Sequence, residues 1–313
     1  MKKLLTTALV TGVLATAASV AAAGEIAVIV KTTNSSFWQN VNKGASAAIE
    51  GISEHTMTFN GPASESAIAD QVALVENAIN RGVAAIVLAP SDPEALAPVV
   101  RRAFEAGIPV AIIDSGLAEG SEQYFQAFLS TDNCAAGQQA AQMMIDNAGS
   151  TGKVAVMSYV AGVGSEIGRV GCFVDYIGEN SDIEIVGPLY SQSQMATALN
   201  QTTDLLAAND DLIGIFGANE PTAIGMGRAI EQAGKAGQLV AIGFDGNADL
   251  QDMVKSGTLL ATAVQGSFQM GELGVNAVAD ILAGTPVTDF IDTGVVMVTK
   301  ENIDTPVAQN VLY

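Results

Sequence analysis

The sequence predicts an α/β protein made of two doubly wound parallel-sheet lobes joined by several chain crossings. Three observations point there. Short, near-continuously apolar runs alternate with amphipathic stretches, the pattern of strands covered on both faces by the helices between them. The alternation falls into two blocks, from about Glu25 to Ile113 and from about Val154 to Phe244, each with four strand-like runs. After the second block the chain continues with an extended run at Leu259–Gln265, a helix at Phe268–Ala283 and a strand at Gly294–Thr299, which favours several crossings over one linker.

The first block reads as strands at Ile26–Val30, Thr56–Phe59, Val83–Leu88 and Pro109–Ile113, separated by helices at Trp38–Ile49, Ser66–Asn80 and Pro93–Ala106. An extended segment, Tyr124–Leu129, and a helix, Ala135–Asn147, lead into the second block. There the strands are Val154–Ser158, Ile183–Val186, Leu212–Phe216 and Leu239–Phe244, with helices at Gly168–Glu179, Ala196–Ala208 and Thr222–Ala233. Gly107, Gly234 and Gly237 follow helical stretches and suit their C-terminal stops. No Ser/Pro-rich linker, low-complexity segment or short repeat interrupts the pattern.

A chain of 313 residues is long enough for two modest cores, and 49% hydrophobic residues exclude a disordered composition. The net charge of −20 argues against a nucleic-acid partner, which needs clustered Lys and Arg, and against docking on an anionic membrane. At the N-terminus, Lys2 and Lys3 precede an apolar run from Leu4 to Ala18, followed by Ala21, Ala22 and Ala23. That order reads as a secretory signal peptide, residues 1–23, with cleavage after Ala23. Thr6, Thr7, Thr11 and Thr16 interrupt the run, which is short for a membrane span. The mature protein is therefore expected to be exported and soluble. An exported compartment permits a disulfide between Cys134 and Cys172, but their spacing leaves two buried free thiols equally open.

Ligands of open parallel sheets bind beyond the carboxyl ends of the strands. The polar residues that follow the apolar runs are Asp114, Asn219, Asp245 and Gln265, with Arg169 at the start of the helix after Val154–Ser158. The loop after the first strand contains Ser35 and places Phe37 and Trp38 at its mouth. Carboxylates, amides and a guanidinium make paired hydrogen bonds to hydroxyls, and aromatic faces cover the C–H faces of a sugar ring. The set describes a site for a small, neutral, polyhydroxylated ligand. Each residue alone has a duller reading: the aspartates as helix caps, Arg169 in a surface ion pair, the aromatics as core.

Other chemistry fits poorly. His55 is the single histidine, so a His-based triad or multi-His zinc site is not indicated, and it reads as a surface residue. Gly162–Gly168 looks like a dinucleotide fingerprint with its third glycine one position late, and reads as a glycine-rich loop leading to Arg169. The stretch from Asp245 lacks the Gly and Glu a calcium loop needs at its sixth and twelfth positions; Asp249 fits a helix start instead. Asp114 and Asp245 leave a glycosidase-type acid/base pair as an alternative.

These residues resemble the ribose/galactose-type periplasmic binding proteins, the sugar-binding components of ABC importers, over essentially the whole mature chain. The resemblance rests on Asn34–Trp38, Ile108–Asp114, Ser130–Asn133, Gly243–Gly246 and Ala261–Gln265, in that order. It implies the type I fold, with lobes at 24–130 plus 266–295 and at 131–265 plus 296–313, and three hinge crossings near Ser130, Gln265 and Val296. It implies that Ser35, Phe37, Trp38 and Asp114 contact ligand from the first lobe, Arg169, Asn219 and Asp245 from the second, and Gln265 from the hinge. It implies no catalysis, cofactor or metal, a monomer in the periplasm, a membrane permease as partner, and a chemoreceptor as a compatible second one. A transcription regulator of the same architecture would need an N-terminal helix-turn-helix where the signal peptide stands. Ser115 stands where ribose binders carry Arg, Ser35 where they carry Asn, and Gln192–Ser193 where they carry an aromatic, which is missing here unless Tyr190 takes its place. These departures remove bulk and one positive charge, and point to a hexose, ketose or sugar alcohol.

Overall fold

The computed structural model describes residues 24–313; the signal-peptide reading of residues 1–23 lies outside them. The first block is β1 (Gly24–Ile29), α1 (Ser36–Glu50), β2 (His55–Asn60), α2 (Ile68–Arg81), β3 (Ala85–Leu88), α3 (Pro93–Glu105), β4 (Val110–Ile113) and β5 (Ala127–Ser130). Next come α4 (Asn133–Ala148), β6 (Thr151–Ser158), α5 (Gly164–Asn180), β7 (Asp182–Tyr190), α6 (Met195–Ala208), β8 (Leu212–Gly217), α7 (Glu220–Gln232), β9 (Val240–Phe244), α8 (Ala248–Ser256) and β10 (Ala261–Gln265). The chain ends with α9 (Ser267–Leu282), β11 (Phe290–Asp292), β12 (Val295–Thr299) and α10 (Pro306–Gln309).

Two six-stranded sheets result, ordered β2-β1-β3-β4-β5-β11 and β7-β6-β8-β9-β10-β12. All pairings are parallel except β10 with the edge strand β12. The orders are the same, so each sheet has its reversal of strand order at an equivalent place, beside β1 in one and β6 in the other. The central strands β3 and β4 are buried along their whole length, which is why they read as unbroken apolar runs.

Local chemistry sets the helix starts. Asp92 accepts hydrogen bonds from the backbone N–H of Glu94 and Ala95, ahead of Pro93 at the first position of α3. Ser35 and Asn219 cap α1 and α7 in the same way, so these two site residues also hold the first turns of their helices. One expectation fails here. Helix α5 starts at Gly164, and the Gly162–Gly168 stretch is mostly its first turn. Glu166 explains this: its carboxylate accepts from Gly162 N and Ser158 Oγ, tying the turn to the end of β6. Arg169 consequently sits in the second turn rather than at the helix start. His55 is half-buried at the head of β2, its Nδ1 3.3 Å from the Gly24 carbonyl.

The chain passes between the sheets three times, after β5, after β10 and between β11 and β12. The third passage is at Thr293–Gly294: Val295 already pairs with Gln265 in the second sheet, so the crossing placed near Val296 comes earlier. Thr131 Oγ1 donates to the Gly294 carbonyl, joining the first and third crossings. Because of these passages, α9 follows a strand of the second sheet but packs on α1 of the first. Their backbones touch at two glycines: a Cβ on Gly44 would lie 1.9 Å from the Phe268 carbonyl oxygen, and one on Gly271 2.0 Å from that of Val41. Likewise α4 follows the first sheet and packs on α5, where Cys134 and Cys172 form a disulfide with Cα atoms 5.1 Å apart. Among the described residues no helix is long and apolar enough to cross a membrane.

Candidate functional site

The carboxyl ends of the two sheets face each other across a cleft, and the residues that leave those ends close around one small cavity. All eight residues singled out in the sequence line it: Ser35, Phe37, Trp38 and Asp114 from the first lobe, Arg169, Asn219 and Asp245 from the second, and Gln265 at a crossing.

The two aspartates are built alike. Each follows its strand with a positive φ, 63° at Asp114 and 79° at Asp245, a region that Asp tolerates better than most residues. Each donates its N–H to the neighbouring strand, Asp114 to Leu129 and Asp245 to Ala263. Each carbonyl accepts from a hydroxyl on that strand, at 2.6 Å from Ser130 and 2.7 Å from Thr262. Strain of this kind persists where surrounding bonds over-determine it, and it clusters at functional sites. Here it turns a carboxylate off the strand axis into the cleft.

The partners differ. Asp114 Oδ2 pairs with Lys31 Nζ at 2.6 Å, both side chains buried, and accepts from Ser115 Oγ at 2.8 Å. Lys31 in turn donates to Ser115 Oγ at 2.6 Å. The positive charge that Ser115 was expected to remove is therefore supplied from the end of β1. Asp245 accepts from Gln265 Nε2 and from the backbone N–H of Glu220, each at 2.8 Å. Burial pushes the Asp245 carboxyl up to about 6, with the Arg169 charge and these two bonds holding it back.

Arg169 is 2% exposed and makes four hydrogen bonds within the protein. It donates to the Ala218 carbonyl, to Asn133 Oδ1 through two nitrogens, and to Gln265 Oε1. Its guanidinium carbon stands 3.6 Å from the centre of the Phe244 ring. The fork is thereby oriented before any ligand arrives. Asn219 Nδ2 donates to Ser193 Oγ at 3.0 Å while its Oδ1 caps α7.

The aromatic wall is Phe37 edge-on to Trp38, ring centres 4.8 Å apart, with Trp38 Nε1 donating to Glu65 at 2.8 Å. The substitute proposed at Tyr190 does not line the cavity. The second lobe's aromatic there is Tyr159, whose hydroxyl lies 2.8 Å from Ser165 Oγ and is pushed well up by burial. Sequence reasoning missed Lys31, Glu65, Tyr159, Ser165, Glu220 and Pro221, which also line it. Lys31 had a signal, a lone cation ending the apolar run of β1. Glu220 had another, a carboxylate beside Asn219 at a strand end. Glu65, in the loop after β2, had none.

The lobes touch around the cavity. Ser165 N donates to Ser115 Oγ at 3.2 Å, Ser193 Oγ donates to Glu65, and Ser36 N donates to Glu220 Oε1 at 2.9 Å. Burial and the neighbouring Asp245 push the Glu220 carboxyl up to about 8.

Fold and cleft together define a two-lobed binding protein, and residues 26–286 match the periplasmic binding protein domain. The chain belongs to that family. Among curated relatives, it is 30% identical to the ribose import binding protein RbsB of Haemophilus influenzae, over 92% of this chain and 96% of that one. It is 29% identical to the D-allose-binding periplasmic protein of Escherichia coli, over 83% and 85%. Among solved structures, an ABC transporter solute-binding protein of Agrobacterium vitis with bound D-fucose is 71% identical, with a TM-score of 0.92, covering 93% of this chain and all (100%) of that one. A carbohydrate transporter solute-binding protein of Agrobacterium radiobacter in complex with D-arabinose is 30% identical, with a TM-score of 0.89, over 93% and 99%.

Proposed function

We propose that this protein is the substrate-binding component of an ABC sugar importer, that it works as a monomer in the periplasm, and that its ligand is a monosaccharide of the D-fucose kind. The observation that carries the reading is the convergence, in one cavity, of aromatic walls and planar hydrogen-bonding groups from the strand ends of both sheets. A 6-deoxy sugar carries a methyl where other hexoses carry a hydroxymethyl, and Phe37, Trp38 and Pro221 give the cavity apolar surface for such a group. The 71% identity to a protein with bound D-fucose supports the same choice.

In the proposed cycle the lobes, 24–130 plus 266–294 and 131–265 plus 295–313, open by bending at the three crossings. Sugar docks first on Phe37, Trp38 and Asp114, and closure brings Arg169, Asn219, Asp245 and Gln265 onto it. The closed form gains because only it makes both sets of contacts. A membrane permease then recognises the closed lobes; a chemoreceptor could read the same shape. No turnover is expected. Asp114 is neutralised by Lys31 and both oxygens of Asp245 already accept bonds, which suits recognition better than proton transfer.

A thermal-shift screen against pentoses, hexoses and polyols tests this. D-fucose should raise the melting temperature most, since ligand at a hundred times its Kd stabilises by about 2.7 kcal/mol. No shift with any sugar or polyol would contradict it.

A further inference from the structure

We infer that Glu220, Ser36 and Tyr313 form an interlobe latch that holds the cleft shut around its ligand. The inference rests on the binding function proposed above. Glu220 is 3% exposed, in the first turn of α7 in the second lobe. One of its carboxyl oxygens accepts from Ser36 N, the first residue of α1 in the other lobe, at 2.9 Å. The other accepts from the Tyr313 hydroxyl at 3.0 Å. Its own backbone N–H holds Asp245 Oδ2. A single residue thus links the helix that carries Phe37 and Trp38 to the aspartate on the opposite wall.

Tyr313 makes the link two-sided. Its backbone belongs to the second lobe: its N–H donates to the Gly246 carbonyl at 3.2 Å, and Gln251 Nε2 donates to its carbonyl at 3.3 Å. Its half-buried ring packs instead against the apolar core of the first lobe, which includes Phe37, Trp38 and Val41. Opening the cleft must break the Ser36–Glu220 bond and pull the ring from that core. Neither event involves ligand. Tyr313 does not line the cavity, so its contribution can be separated from ligand contact.

The rate of D-fucose release is the test, followed by stopped-flow fluorescence of Trp38, the single tryptophan. Tyr313→Ala should release sugar about tenfold faster, the equivalent of roughly 1.4 kcal/mol, with the association rate unchanged. Tyr313→Phe keeps the ring and loses the hydroxyl, so it should give a smaller acceleration. In a Glu220→Ala background, Tyr313→Phe should add nothing further. Release at the wild-type rate from a folded Tyr313→Ala protein would overturn the latch. If the wild type takes no D-fucose, it is the ligand of the proposed function that fails, not the latch. The latch is then read from small-angle scattering of the ligand-free proteins: Tyr313→Ala should have the larger radius of gyration, and equal radii would overturn it.

Discussion

Asp114 and Asp245 show how much of a site one residue type can fix when the backbone over-determines it. Both stand at positive φ, bonded to the next strand through N–H and carbonyl, and both face the cavity. Their places were legible because a carboxylate that ends an apolar run has nowhere to go but the strand's carboxyl end. Glu65 was not, because it lies in an irregular loop and reaches the site only through the folding of β2 against β1. Lys31 and Glu220 had weaker signals, since a buried charge looks like a surface charge until its partner is located. Glu220 also makes the stability of the fold depend on pH. Its carboxyl, normally ionising at 4.5, is raised to about 8 in the folded protein. The folded state therefore keeps a proton that the unfolded chain releases, and the stability Glu220 contributes falls as pH rises from about 4.5 to about 8, then levels off. Denaturant unfolding should show the wild type losing stability from pH 5 to pH 8 relative to Glu220→Gln. Asp245, raised to about 6, adds a slope of the same sign in both proteins. Parallel pH profiles for the two would refute the assignment.

Among the elements, the strands were the most legible, since burial on both faces leaves a run of apolar residues that no surface helix shares. Helix starts were less so: the true start of α5 depends on Glu166 bonding back to Ser158 and Gly162, a tertiary contact that spacing does not reveal. β11 was missed entirely. It is three residues long, partly exposed, and exists because β5 offers it an edge. The helix pairs across the crossings were also out of reach. Gly44 and Gly271 look like weak points in their helices, yet they let α1 and α9 meet backbone to backbone. The Cys134–Cys172 bridge, left open by the sequence, staples α4 to α5 across 38 residues of chain. Closing a loop of that length restricts the unfolded chain by about 4 kcal/mol in the chain-entropy account. Replacing both cysteines by serine should lower unfolding free energy by roughly 2–4 kcal/mol in chemical denaturation without changing the fold seen by circular dichroism. An unchanged midpoint would show that the bridge adds nothing.

For the whole molecule, the crossings convert two similar sheets into one hinged cleft. The duplication of strand blocks and the late return of the chain were legible, as was the resemblance that set the order of the site residues along 313 positions. The closeness of the lobes was not, because contacts such as Ser165 to Ser115 and Ser36 to Glu220 join residues far apart in the chain, whose pairing appears only once the crossings bring the lobes together. The central claim is that one sugar is gripped from both lobes at once. Isothermal titration calorimetry of D-fucose into the wild type, Asp114→Ala and Asp245→Ala proteins tests it most directly. One site is expected in the wild type, with affinity reduced by roughly ten- to a hundredfold or more when either aspartate is removed, since each such charged hydrogen bond contributes about 1.5–3 kcal/mol. Wild-type affinity in either folded variant would contradict it.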